Sequence, residues 1–275
     1  MIFSGNNFKF ELGKKTYIMG ILNVTNDSFY DGGKYNTPDK AVARAKMMLN
    51  EGADIIDIGA HSTRPNHSEL TENEELEIIK NYLPLVYNET KAVISVDTFY
   101  PAVAEYALQN GASIINDVSG AFNEKIAKLV VKYNCGWVIM HTGGGNSVIV
   151  PEYMKTITED VTDFFAEMLK KCTDYGINQN QICFDMGIGF GKSHEHNIEL
   201  IKNTDRLKIK DVALLTALSM KRVVKNTTNV EGDDLLFGTI SANTLAIKGG
   251  TDIIRVHNVK ENVLAAKMVD AVVRG

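Results

Sequence analysis

The amino-acid sequence predicts an α/β fold: a single (β/α)8 TIM barrel with an N-terminal β-hairpin. Three observations predict it. Eight short apolar runs punctuate the chain, and nearly every one ends in a polar or charged residue. Stretches with helical spacing fill the gaps between them. The length of 275 residues is ordinary for such a barrel, and residues 1–275 read as one domain. A parallel strand buried on both faces reads as a continuous hydrophobic run, and eight such strands alternating with helices close into a barrel.

Taken in order, residues 1–15 alternate apolar and polar around Gly5-Asn6-Asn7 and Gly13, which predicts a hairpin closing the bottom of the barrel. The strand candidates are YIMGILN (17–23), DIIDIGA (54–60), AVISVDT (92–98), SIINDVS (113–119), WVIMHT (137–142), ICFDMG (182–187), VALLTALS (212–219) and IIRVHNV (253–259). Between them, residues 38–51 carry Ala41, Val42, Ala45, Met48 and Leu49 at helical spacing, with Thr37 as a candidate N-cap. Residues 71–88 open with Thr-Glu-Asn-Glu, a capping-box pattern. Residues 101–110 start on proline, a favoured first-turn residue, and stop at Gly111. Further helices are expected at 123–133, 158–175, 195–204, 232–249 and 261–273.

Composition narrows the function classes. A net charge of −5 argues against general nucleic-acid binding, which needs a basic face. It leaves room for an anionic ligand in a locally positive pocket. No apolar run approaches the ~18 residues of a membrane span, and the N-terminus lacks the layout of a signal peptide. Cys135, Cys172 and Cys183 are odd in number and unpaired in spacing, which fits structural thiols of a cytoplasmic protein.

A barrel brings the C-terminal strand ends to one mouth, so Asn23, Asp97, Asn116, His141, Asp185, Ser219, Lys221, Arg255 and His257 would converge there. Asp97, Asn116 and Asp185 each follow apolar residues. A desolvated carboxylate needs a cation, a metal or a ligand rich in N–H donors. Two carboxylates and a carboxamide on a pocket floor suit a flat heterocycle with alternating donors and acceptors. Lys221 just beyond the seventh run, Arg255 and His257 in the eighth, and Arg64 on a neighbouring loop fall where barrels commonly hold phosphate, and a diphosphate leaving group would suit them. Two strand-end loops, 25–36 and 62–70, are polar and glycine-bearing, as functional loops on a rigid scaffold often are. GIGFGKS (187–193) comes near a phosphate-binding P-loop but fails it, because Met186 stands where the first glycine is required. His194 and His196 would diverge on a helix and read as surface residues.

In collinear order, MGILNVTNDSFYDGG (19–33), GADIIDIGAHSTRP (52–65), ISVDTF (94–99), GASIINDVSG (111–120), VIMH (138–141), FDMGIGFGK (184–192), LSMK (218–221) and GGTDIIRVHNV (249–259) resemble the signatures of the dihydropteroate synthase family of pterin-binding barrels. The resemblance implies condensation of 6-hydroxymethyl-7,8-dihydropterin diphosphate with p-aminobenzoate and release of pyrophosphate. It implies that Asp97, Asn116, Asp185 and Lys221 bind the pterin, with Met140 and Phe190 lining its slot. It implies that Asn23 holds Mg2+, that Arg64, Arg255 and His257 hold the diphosphate, and that Thr63, Arg64, Pro65 and Ser219 position p-aminobenzoate. A homodimer is implied as well, with the last helices as its interface. The chain departs from the family pattern at Asn26, Ala60-His61, Met186, Ala217, Met220, Asn258 and the Thr142-Gly143-Gly144-Gly145 segment. Met220 stands where the family usually has arginine, and Ala217 where it usually has glycine. These changes keep open a diverged pterin-binding paralogue with another acceptor, a methyltetrahydrofolate methyltransferase, or a non-catalytic pterin binder.

Overall fold

The computed structural model describes residues 1–24, 37–60, 70–143 and 150–275. Strands β1 (Ile2–Gly5) and β2 (Phe8–Glu11) pair antiparallel as a hairpin. Eight parallel strands then close a barrel: β3 (Tyr17–Asn23), β4 (Ile55–Gly59), β5 (Val93–Asp97), β6 (Ala112–Asp117), β7 (Gly136–Met140), β8 (Ile182–Asp185), β9 (Ala213–Thr216) and β10 (Ile253–Val256), with β10 beside β3. The eight apolar runs are these eight strands. All but β3 stop before their runs end, and β9 and β10 stop three residues short. In particular β9 ends at Thr216, so Ser219 and Lys221 lie on the loop beyond it.

The helices are α1 (Pro38–Glu51), α2 (Glu72–Thr90), α3 (Pro101–Gln109), α4 (Glu124–Tyr133), α5 (Ile157–Asp174), α6 (His194–Lys202), α7 (Thr204–Leu207), α8 (Arg222–Thr228), α9 (Leu235–Lys248) and α10 (Val259–Val273). The Thr71 capping box forms, with Glu74 reaching back to the Thr71 backbone N–H at 2.8 Å. Thr37 occupies the N-cap of α1 without a side-chain cap bond. Two helices differ from the sequence expectation. The candidate at 195–204 divides into α6 and α7. Helix α8 is short and polar, RVVKNTT, with no apolar stripe long enough to announce it.

Side chains alternate along each strand, and only one set enters the barrel. Met19, Ile55, Ile114, Val138, Cys183, Leu215 and Ile253 fill the interior together with Phe3, Phe8, Phe10 and Leu12 of the hairpin region. The hairpin therefore seals the N-terminal end with aromatic rings, Phe3 and Phe8 meeting edge to face at 5.1 Å. The opposite strand faces pack under the helices, as around Trp137, Phe165 and Phe184. Further along the same inward-pointing set, toward the C-terminal ends, the apolar residues give way to polar ones. Register carries Asn23 to Gly59, Gly59 to Asp97 and Asp97 to Asn116, so these neighbours face the same cavity.

Candidate active site

The polar end of the barrel is organised around one cation. Arg255, on β10, donates from Nε to Asp57 Oδ2 at 2.6 Å and from Nη2 to Asp97 Oδ2 at 2.7 Å. Asn116 adds a third contact, its Nδ2 donating to Asp57 Oδ2 at 3.3 Å. Burial works against the guanidinium charge, but Asp57 and Asp97 outweigh it and hold the pKa above the ordinary arginine value. The sequence reading sends Arg255 to a diphosphate. In the structure its fork is committed to two carboxylates, because an unpaired carboxylate this deep would cost several kcal/mol. Asp57 was missing from the sequence-derived set. It is fully buried in the middle of β4, and mid-strand position gave no hint of function.

A second charge pair faces the first. Asp185 ends β8 and accepts from the Gly187 N–H at 2.8 Å. Burial raises its pKa, opposed by Lys221, the Gly187 bond, Arg255 and Lys192. Lys221 donates to the Ile188 carbonyl at 2.6 Å, and its Nζ stands 4.9 Å from the centre of the Phe190 ring. Burial pulls the lysine down to about 8, with Asp185 and Asp97 supporting the charge and Arg255 opposing it. Met140 is buried on β7, paired in register with Asp185. Asp97, Asn116, Asp185, Lys221, Arg255, Met140 and Phe190 are thus assembled in one region.

Buried acceptors remain there. Asp57 Oδ1 and Asn116 Oδ1 have no hydrogen-bond partner among the described residues. Buried polar atoms are normally satisfied, so two such acceptors side by side mark a place for a ligand with N–H donors.

Ser219 and His257 form a separate pair at the rim. The His257 backbone N–H donates to Ser219 Oγ at 3.2 Å, and that oxygen also lies 3.0 Å from His257 Nδ1. Arg44 of α1 donates to the His257 carbonyl at 2.8 Å and holds the backbone in place.

Asn23 ends β3 and is partly exposed. Asn23 Oδ1 and the Asp97 side chain both border Gly59, lying 3.7 Å and 3.5 Å from where a Cβ on that glycine would stand. Among the described residues no group of three His, Cys, Asp or Glu side chains forms a metal cluster. An amide oxygen near a carboxylate nevertheless suits a hard divalent cation that takes few protein oxygens and fills the rest of its shell with phosphate and water.

His141 does not join the mouth. Its ring follows the outward set of β7, with Nε2 2.9 Å from Asp160 Oδ2 of α5 and its face edge-on to Phe164 at 5.1 Å. Burial, helped by Lys192, lowers its pKa to about 4 against the pull of Asp160. One residue of register decides this, since Met140 points in and the next side chain must point out. His194 and His196 are partly buried rather than surface residues. Ser193 caps α6 through the His196 N–H at 3.2 Å, and the His196 ring packs edge-on to Tyr153 at 5.0 Å. Thr63, Arg64 and Pro65 lie outside the described residues, as do most of the two polar loops.

A family model described as "pterin binding enzyme" matches residues 19–257. The dihydropteroate synthase of Clostridium beijerinckii is 38% identical over 268 residues, covering 97% of this chain and 97% of its own. The crystal structure of the Clostridium difficile dihydropteroate synthase, solved in the presence of pteroic acid, superposes with a TM-score of 0.89 at 42% identity, covering 97% of this chain and 100% of that one. That of Xanthomonas albilineans with 4-aminobenzoic acid superposes with a TM-score of 0.86 at 34% identity over 94% of each chain. The chain belongs to the dihydropteroate synthase family of pterin-binding enzymes, transferases of folate synthesis.

Proposed function

We propose that the chain joins 6-hydroxymethyl-7,8-dihydropterin diphosphate to p-aminobenzoate, forming 7,8-dihydropteroate and releasing pyrophosphate. The observation that carries this reading is the pair of unpartnered buried acceptors, Asp57 Oδ1 and Asn116 Oδ1, beside Asp97 and Asp185. A pterin edge offers the N–H donors they lack. Relatives solved with pteroic acid and with 4-aminobenzoic acid support the two substrates.

In this reading Asp97, Asn116 and Asp185 bind the ring, Met140 and Phe190 line its slot, and Lys221 lies over Phe190. Arg255 stays between Asp57 and Asp97, balances their charge and extends positive potential toward the diphosphate. His257 and Arg64 take the diphosphate, and Ser219, Thr63, Arg64 and Pro65 position p-aminobenzoate. In the reaction the aniline nitrogen attacks the pterin methylene carbon, a C–N bond forms, the C–O bond to the diphosphate breaks, and the amine proton passes to solvent. The carboxylates beneath the ring favour positive charge developing at that methylene. The amine is a weak nucleophile, so orientation supplies much of the rate. Asn23 is the residue that would hold Mg2+, which when bound would offset charge on the departing pyrophosphate.

Residues 1–275 then form one pterin-binding domain. We read the protein as cytoplasmic, in keeping with three free, buried cysteines. A homodimer is supported by apolar side chains left exposed on α9 and α10: Phe237, Leu245, Leu264, Met268 and Val272. The test of the reaction is pyrophosphate release with both substrates and Mg2+. Turnover that needs both substrates is expected, and folded protein that binds neither substrate would overturn the proposal.

A further inference from the structure

The segment 187–192, which fails as a P-loop, holds a lysine in an unusual setting. Lys192 is 7% exposed, and its Nζ donates to three backbone carbonyls: Gly187 at 2.9 Å, Phe190 at 3.2 Å and His141 at 3.2 Å. These three bonds join two βα loops. Gly187 gives its own N–H to Asp185, Phe190 lies under Lys221, and His141 follows Met140 at the end of β7. The backbone is shaped to admit the ammonium group. Gly187, Gly189 and Gly191 all have positive φ, and a Cβ at Gly187 would lie 1.8 Å from the His141 carbonyl oxygen. Other side chains hold the same loop from outside: Asn197 Oδ1 accepts from the Gly189 N–H at 2.8 Å, and Tyr153 donates to the Gly191 carbonyl at 2.8 Å.

We propose that Lys192 is a positioning residue for the pterin side of the site: its ammonium ties the Gly187–Phe190 turn to the end of β7 and thereby sets where Asp185, Phe190 and the Lys221-binding carbonyl of Ile188 stand. Lys192 touches no substrate in this arrangement. It acts through the three groups it fixes; burial lowers its own pKa to about 7, and in its protonated form it also supports the charge of Asp185. Carbonyl acceptors suit this task because three of them satisfy all three ammonium donors at once. The inference rests on the pterin reading of that side of the cavity.

The experiment compares wild type with Lys192→Met, Lys192→Gln and, as a control for lost stability, Lys208→Met. Lys208 is another inward lysine, bound to the Val212 carbonyl at 2.9 Å and to Asp252, far from Phe190 in the fold. Pterin diphosphate binding is measured by calorimetry, and KM for each substrate by pyrophosphate release. Lys192→Met is expected to weaken pterin binding tenfold or more while KM for p-aminobenzoate changes less than threefold. Lys192→Gln keeps two donors and should fall between, which preserves the test should the methionine variant fail to fold. Lys208→Met should lower thermal stability and leave pterin affinity within twofold. Pterin affinity within twofold of wild type in a folded Lys192 variant overturns the proposal, as does a parallel loss for both substrates. Wild type that does not bind pterin diphosphate overturns the underlying reading instead.

Discussion

Arg255 Nη2 lies 2.7 Å from Asp97 Oδ2 although the two residues are 158 positions apart, and the same guanidinium reaches Asp57 through Nε. This fork makes two buried acids compatible with a folded barrel. It also leaves Asp57 Oδ1 and Asn116 Oδ1 buried without a hydrogen-bond partner among the described residues. In the proposed reading, structure and recognition share one charge network.

Removing the cation should expose that dependence. Arg255→Met is expected to lower stability by about 3–5 kcal/mol, since it strands two carboxylates without a counter-charge. Urea unfolding measures it. Lys at this position keeps charge but not the fork, so Arg255→Lys should recover only part of the loss.

Lys221 sets a pH limit. Its pKa is lowered from 10.5 to about 8, so the ammonium is present below that pH and is lost as pH rises through it. Activity that needs the cation should therefore decline on the alkaline side of about 8, and Lys221→Met should abolish turnover together with that limb. Stability moves in the other direction. Between about 8 and 10.5 the unfolded chain binds the proton more tightly, so this residue makes the fold more stable as pH rises across that window. A pH profile of turnover and one of urea midpoint together check the sign.

Gly187 should resist substitution. Its φ is +67°, and a Cβ would collide with the His141 carbonyl oxygen. The left-handed backbone alone costs about 1–2 kcal/mol in any residue with a Cβ, and the collision adds to that. Gly187→Ala should lower the melting temperature and weaken pterin binding. Gly176→Ala is the comparison: φ is +94° there and nothing lies within 4 Å of the added carbon, so only backbone strain should appear.

The exposed face of α9 and α10 should matter in solution. Leu264 is 61% exposed and Met268 67% exposed, one helical turn apart on α10. Light scattering is expected to give a dimer for wild type and a monomer for the double variant Leu264→Glu, Met268→Glu. A wild-type monomer would remove the dimer reading.

Much of this was legible beforehand because it is written locally. Run length and spacing told strands from helices, and the polar residue closing each run marked the cavity end. Asp97, Asn116 and Asp185 were found where the apolar part of each run gives way, and Arg255 because a cation inside an apolar run suggested an anionic ligand. Asp57 was not, because it sits inside its run, where a buried acid reads as an anomaly until its partner is known. Lys192 was set aside with a failed motif. The three atoms that bind it are backbone carbonyls, which every residue carries, so no residue type announces them.

The sequence alone determined the eightfold alternation, the parallel order and the types of group gathered at the C-terminal mouth, since periodicity and strand-end polarity are properties of short segments. Tertiary structure decided the pairings. Barrel closure put β10 beside β3 and brought Arg255 within reach of Asp57 and Asp97. A single step of register turned Met140 inward and His141 onto α5. Such choices depend on distances between segments far apart in the chain, and local pattern holds no record of those distances.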